Sequence, residues 1–168
     1  MKAEDILILL KIHVWQYGKW SIRKIAQSIY YNKSSVERSL SRMKKVHLFN
    51  PVTQKVNTKN LEEFLFYGLP YVFPASIGNS ASGIPTAYSA PPLKQQLVSG
   101  DKYIVVWSYE GKNIKGKAIN PLCDLVPKAV LTDNQLYELF CLIDALRIGR
   151  KRDITLARKE ISKRLKHQ

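Results

Sequence analysis

The side chains able to do covalent or metal chemistry are few and scattered. His13, His47 and His167 each lack a serine or cysteine nucleophile at a catalytic spacing, and each suits a structural role. Glu62 and Glu63 are adjacent, which on a helix turns them about 100° apart, too far to share a metal ion or a proton. Cys123 and Cys141 have no second CxxC half and no nearby histidine, which excludes a zinc ribbon or a disulfide scaffold. They read as small buried hydrophobes, with redox sensing left open by an exposure that sequence does not show. Gly111 to Lys117 has the glycine and lysine spacing of a phosphate-binding loop, but Ala118 stands where a magnesium-binding hydroxyl belongs and Pro121 soon breaks the chain. The expectation is a protein that is not an enzyme and uses no metal and no cofactor.

What the chain concentrates is positive charge. Its 168 residues hold 27 Lys and Arg against 13 Asp and Glu, a formal net charge of +14, with a sequence pI of about 9.8. Residues 1–60 carry 12 basic and 3 acidic side chains (+9), residues 61–110 carry 2 and 4 (−2), and residues 111–168 carry 13 and 6 (+7). Such a field selects a polyanion, nucleic acid first and an anionic membrane second. The apolar run Ile6–Trp15 is broken by Lys11 and follows Glu4 and Asp5; it is too short to span a bilayer and lacks a signal peptide's basic start and cleavage site. It is expected to be a buried helix of a cytoplasmic protein with no membrane partner, and the unpaired cysteines fit a reducing compartment.

The cations fall into a pattern. Asn32 can cap a helix running to about His47, with Val36, Leu40 and Met43 inward and Lys33, Ser34, Ser35, Arg38, Ser41, Arg42 and Lys45 on the opposite face. Small hydroxyls near its start let the backbone approach DNA, while Arg38 and Arg42, one turn apart, can reach guanine edges or flanking phosphates. Ser21 can cap the preceding helix, Ile22–Ile29, whose Ile22, Ile25, Ala26 and Ile29 form an apolar face and whose Arg23, Lys24 and Gln27 face water. From Ala3 to Gln16 apolar residues cover most of a first helix, suiting burial on more than one side. Residues 49–57 can form a short two-stranded wing with Gln54 or Lys55 at its tip, and Asn60 with Glu63 looks like a capping box for a helix through Phe66, Tyr67 and Gly68. The expected DNA-contacting set is therefore Ser21, Arg23, Lys24, Lys33, Ser34, Ser35, Arg38, Ser41, Arg42, Lys45 and Lys55.

Ile25-Ala-Gln-Ser-Ile29, then Asn32-Lys-Ser-Ser-Val36-Glu-Arg38-Ser-Leu40 and Met43-Lys-Lys-Val-His-Leu48, resembles the helix-turn-helix core of winged-helix bacterial regulators of the MarR type. Ala26 and Val36 keep that pattern's ten-residue spacing between a small residue of the second helix and an inward valine of the recognition helix. The resemblance covers about residues 3–68 and implies a winged helix-turn-helix that reads duplex DNA, usually as a homodimer on paired half-sites. Where the family's turn usually places glycine, this chain has Tyr30, so the turn is expected to differ in shape or Tyr30 to belong to the helix.

The remainder is expected to divide into a Pro-, Ser- and Ala-rich linker (69–95) and a C-terminal domain (96–168). In the latter, Tyr103–Tyr109 and Ile114–Ile119 read as a β-hairpin turning at 110–113. Thr132 with Gln135 opens a helix, Asp133 to Ile148, whose Leu136, Leu139, Phe140, Ile143 and Leu146 form either core or a subunit interface. A last helix runs from about Ile154 to Lys166. Arg147, Arg150, Lys151, Arg152 and Arg158 form a possible second basic patch, for the same duplex, a symmetry-related half-site or an acidic protein partner. Tyr67, Tyr71, Phe73, Tyr88, Tyr103, Trp107 and Tyr109 either pack the halves together or enclose an effector. The fold expected is mainly α with small β elements. The function expected is a sequence-specific double-stranded DNA-binding transcriptional regulator, a repressor of its own or a neighbouring operon. An antitoxin-like or defence-system component holding a protein through its C-terminal half, and a structured-RNA binder, are the alternatives.

Overall fold

The computed structural model describes residues 1–15, 20–96 and 103–166; Gln16, the expected end of the first helix, and His167 lie outside the described residues. The chain is mainly helical with two small sheets. Helices α1 (Ala3–Val14), α2 (Ile22–Ser28) and α3 (Lys33–Lys45) are followed by the two-residue strands β1 (Phe49–Asn50) and β2 (Lys55–Val56), then α4 (Thr58–Tyr67) and the single turn α5 (Leu69–Val72). Strand β3 (Ile77–Pro85), β4 (Val105–Ser108), β5 (Ile114–Ile119) and helices α6 (Val126–Ala129), α7 (Asn134–Ile148) and α8 (Lys151–Lys166) complete it.

Helix α1 is the hub. Ile6, Leu7, Ile8, Leu9, Leu10 and Ile12 are all fully buried, each worth about 1.5–3 kcal/mol, because α1 packs on α2, α3 and β2 on one side and on α7 on the other. The Lys11 ammonium, taken out of water with the helix, pairs with Asp133 beside α7 at 2.6 Å. Helix α4 packs on α8, where the Ser162 hydroxyl donates to Glu62. One hydrophobic cluster therefore runs from Ile6 through Leu61 to Leu165.

Caps define the helices as side-chain chemistry predicts, with small shifts. Ser21, Asn32, Asn57 and Asp133 accept the backbone N–H groups of Lys24, Ser35, Asn60 and Leu136. Asn57, not the expected Asn60, thus starts α4, and the Asn60 amide donates instead to the His47 carbonyl. Asp133 rather than Thr132 caps α7, and α8 begins one turn earlier than Ile154 because the Asp153 carboxylate accepts the Arg150 N–H.

Helices α2 and α3 both end in Schellman turns. Tyr31 N–H donates to the Ala26 carbonyl and Tyr30 N–H to Gln27; Leu48 N–H and His47 N–H repeat this on Met43 and Lys44. The left-handed position of each turn is held by Tyr30 (φ 56°) and His47 (φ 57°). Tyr30 therefore takes the backbone a glycine would take, outside the helix, at a cost of about 1 kcal/mol.

Two expectations of the C-terminal half are corrected. Residues 69–95 are not a linker: they supply α5, β3 and a short helical turn, with Ala87, Tyr88, Ala90 and Leu93 buried. Nor do β4 and β5 form a hairpin. They pair parallel, Val105 beside Lys117, while β3 runs antiparallel to both, so the three strands close on one another. Closure this tight needs missing side chains. A Cβ on Gly83 would lie 1.7 Å from the Trp107 carbonyl oxygen, and one on Gly116 would lie 2.6 Å from that of Ile104.

Candidate nucleic-acid interface

Helix α3 is about 20 Å long and sharply two-faced. Val36, Ser39, Leu40 and Met43 are buried, while Ser34, Arg38, Ser41 and Lys45 are exposed along one stripe and Lys33 is exposed at the helix start, about 100° round from Ser34. Glu37 is the one acidic side chain on α3 and pairs with Lys33 at 3.5 Å. Ser21, Arg23 and Lys24 at the start of α2, and Lys55 on β2, are likewise exposed.

Two members of the expected set do something other than wait for a ligand. Ser35 is buried; its Oγ accepts from a terminal guanidinium nitrogen of Arg38 at 3.1 Å, one turn along the same helix, and so holds the head of that side chain against α3. Arg42 is 35% exposed and grips the fully buried Asp5 carboxylate with two hydrogen bonds, 3.1 and 2.5 Å long. Burial alone would raise the Asp5 pKa, but the Arg42 guanidinium and the Lys2 N–H outweigh it and hold the carboxyl below its ordinary range. Arg42 therefore clamps α3 to the start of α1, whereas exposed Arg38 has one neutral hydrogen bond to exchange, that to Ser35, before it reaches outward.

Residues 51–54 connect β1 to β2, and the Asn50 carboxamide accepts the Val52 and Thr53 N–H groups, making a compact tip on which Val52 is almost fully exposed. Beside the α2–α3 turn, the Lys128 ammonium of α6 lies 3.9 Å from the centre of the Tyr30 ring. Asp5 and Lys128 were not legible as parts of this surface. Both are distant in sequence from α3, and only the packing of α1 and α6 brings them there.

The second basic patch is divided. Arg150, Lys151 and Arg152 are exposed, the latter two lining a shallow cavity of about 520 Å³ with Gln96, Thr155 and Leu156. Arg147, with 4% of its side chain exposed, is internal: it pairs with Asp144 at 2.7 Å and donates to the Phe73 and Asn120 carbonyls. Asp144 also accepts from Thr86 Oγ1 (2.8 Å) and Trp107 Nε1 (2.6 Å), so the cluster ties α7 to β4 and to the segment after β3. Burial pushes the Asp144 carboxyl upward, against these donors. Arg158 is also committed, donating to the Phe66 carbonyl with its guanidinium over the Phe66 and Tyr67 rings.

Other candidates resolve into packing. Leu136, Phe140 and Ile143 of α7 are buried within one chain, as is α1, so neither face is available to a second subunit. Trp107 and Tyr88 are core, whereas Tyr67, Tyr71 and Tyr103 face solvent, and these aromatics do not enclose one cavity. Burial pushes the Cys123 thiol up to about 11 and raises that of the fully enclosed Cys141 further, which keeps both as unreactive thiols. Gly116 and Lys117 lie inside β5 rather than in a strand-to-helix loop, so the phosphate-loop spacing has no matching context. Among the described residues no group of His, Cys, Asp and Glu could hold a metal ion, and no helix is long and apolar enough to cross a membrane.

No family model, curated protein or solved structure matches this chain.

Proposed function

We propose that the chain is a sequence-specific double-stranded DNA-binding transcriptional regulator, in which α2, the Tyr30 turn and α3 act as a helix-turn-helix and β1–β2 as its wing. One observation carries this reading: α3 presents a stripe of Ser34, Arg38, Ser41 and Lys45, with Lys33 exposed at its N-terminal end, away from a face anchored in the core. A helix of that width and polarity fits a B-form major groove, whose base edges offer guanine acceptors to arginine. An A-form RNA major groove is too narrow to admit it. In this reading Arg38 reads a base edge, Lys33 and Lys45 take phosphates at the two ends, and Ser21, Arg23, Lys24 and Lys55 set the protein's register on the backbone. Regulation follows from occupancy of the operator, as a repressor acts. A homodimer on paired half-sites would have to join through surfaces other than α1 and α7.

The test is the Arg38→Ala variant titrated against a selected duplex and against random duplex. Loss of affinity for the selected site by about five- to 150-fold, or about 1–3 kcal/mol, with little change on random duplex, is expected of a base-reading arginine. Equal losses on both would reduce Arg38 to a phosphate contact and remove the main support for sequence-specific reading.

A further inference from the structure

Tyr30 carries its ring at a backbone position where any side chain is strained, with φ 56°, and the residue is 52% exposed rather than used in the core. Strain of this kind persists where the surrounding structure makes use of it, and functional surfaces are where it collects. The use is visible in the C-terminal half. Lys128, an exposed residue in the last turn of α6, places its ammonium 3.9 Å from the ring centre, where the negative face of the aromatic system attracts a cation. No carboxylate pairs with this ammonium among the described residues. Tyr30 precedes Lys33, the first residue of α3, by three positions, and three residues of chain span at most about 11 Å. A cation from the far half of the chain therefore stands against the turn that leads into α3.

The geometry points to a phosphodiester-binding site at the α2–α3 turn, made of the Lys128 ammonium and positioned by the Tyr30 ring, through which the C-terminal half adds a backbone contact to DNA held by α3. This rests on the DNA-binding reading above. Tyr30 is a positioning residue in it and Lys128 the contact. The plainer use of Lys128 is to complement the carbonyl end of α6. The two uses differ in what Tyr30 does, because complementing a helix end needs no ring.

The full chain is titrated against random duplex DNA across a salt series, with Lys128→Ala, Lys128→Arg, Tyr30→Phe and Tyr30→Gly beside it. Lys128→Ala is expected to weaken binding about fivefold near 0.15 M salt and to lower the slope of log affinity against log salt by about 0.9, the release of one phosphate's counterions. Lys128→Arg and Tyr30→Phe should retain both. Tyr30→Gly is the separating variant: glycine accepts the left-handed backbone, so the protein should melt no lower than wild type yet lose the same slope increment. An unchanged slope in Lys128→Ala overturns the contact, and wild-type binding by Tyr30→Gly overturns the positioning role. A wild-type chain with no salt-dependent affinity for duplex overturns the DNA reading itself, and this site with it.

Discussion

Arg38 and Arg42 stand one turn apart and separate binding from stability. Removing the Arg42 side chain leaves Asp5 fully buried without its counter-ion, so Arg42→Ala should lose about 2 kcal/mol in urea unfolding, less than a wholly buried pair because Arg42 is partly solvated. Arg38→Ala should stay within about 0.5 kcal/mol of wild type in the same experiment. Comparable losses in both variants would contradict the division of roles. His13 gives the pH dependence. Burial lowers its pKa below the ordinary 6.5, partly countered by a hydrogen bond to the Arg164 carbonyl. The folded state thus resists a proton that the unfolded chain accepts, so this contribution is full above 6.5 and is lost as pH falls through the lowered value. The urea midpoint should drop between pH 7.5 and 5.5, and His13→Gln should flatten that drop; parallel curves for the two proteins would rule His13 out as the cause.

At the scale of elements, what was legible followed from periodicity and caps. The inward Val36, Leu40 and Met43 and the caps Ser21 and Asn32 place α2 and α3 within a residue or two of where they lie. The β3 segment was illegible for a physical reason: Ile77–Pro85 is made of small residues with no alternation, which resembles a linker. Those same small residues are what three mutually paired strands require, since Gly83 faces Ser108 on β4 and Ile114 on β5 at once. Gly83→Ala should accordingly cost about 3 kcal/mol or more, because its new methyl meets backbone that cannot rotate away. A melting temperature within a degree or two of wild type would mean that the strands do not close as described. The parallel pairing of β4 and β5 was equally hidden, because a short glycine-containing turn between two apolar runs ordinarily signals a hairpin.

At the scale of the whole molecule, charge places two basic ends around a neutral middle, a distribution that points to two domains. The core does not divide in that way. One face of α1 completes the α2–α3 unit and another lies on α7, with the Lys11–Asp133 pair sealed between them. A fragment of residues 1–68 exposes that second apolar face, and should show broad unfolding and dye binding rather than a cooperative transition. A sharp, native-like melt of the fragment would restore the independent domain. The stripe on α3 was legible in residue order, but which of its members are free was not. Ser35 and Arg42 have the residue types and spacing of DNA contacts, and only the burial of Ser35 and the tertiary position of Asp5 show that they serve as supports.

The measurement that bears most directly on the account is selection of the purified full chain on a pool of randomised duplex DNA at near-physiological salt, with sequencing of what is retained. The account predicts an enriched motif that includes guanine steps, weakened when Arg38 is replaced by alanine; a palindromic form would also give the half-site spacing of a dimer. Retention without any sequence enrichment, collapsing steeply as salt rises, would contradict it and leave only the attraction of a +14 chain for a polyanion.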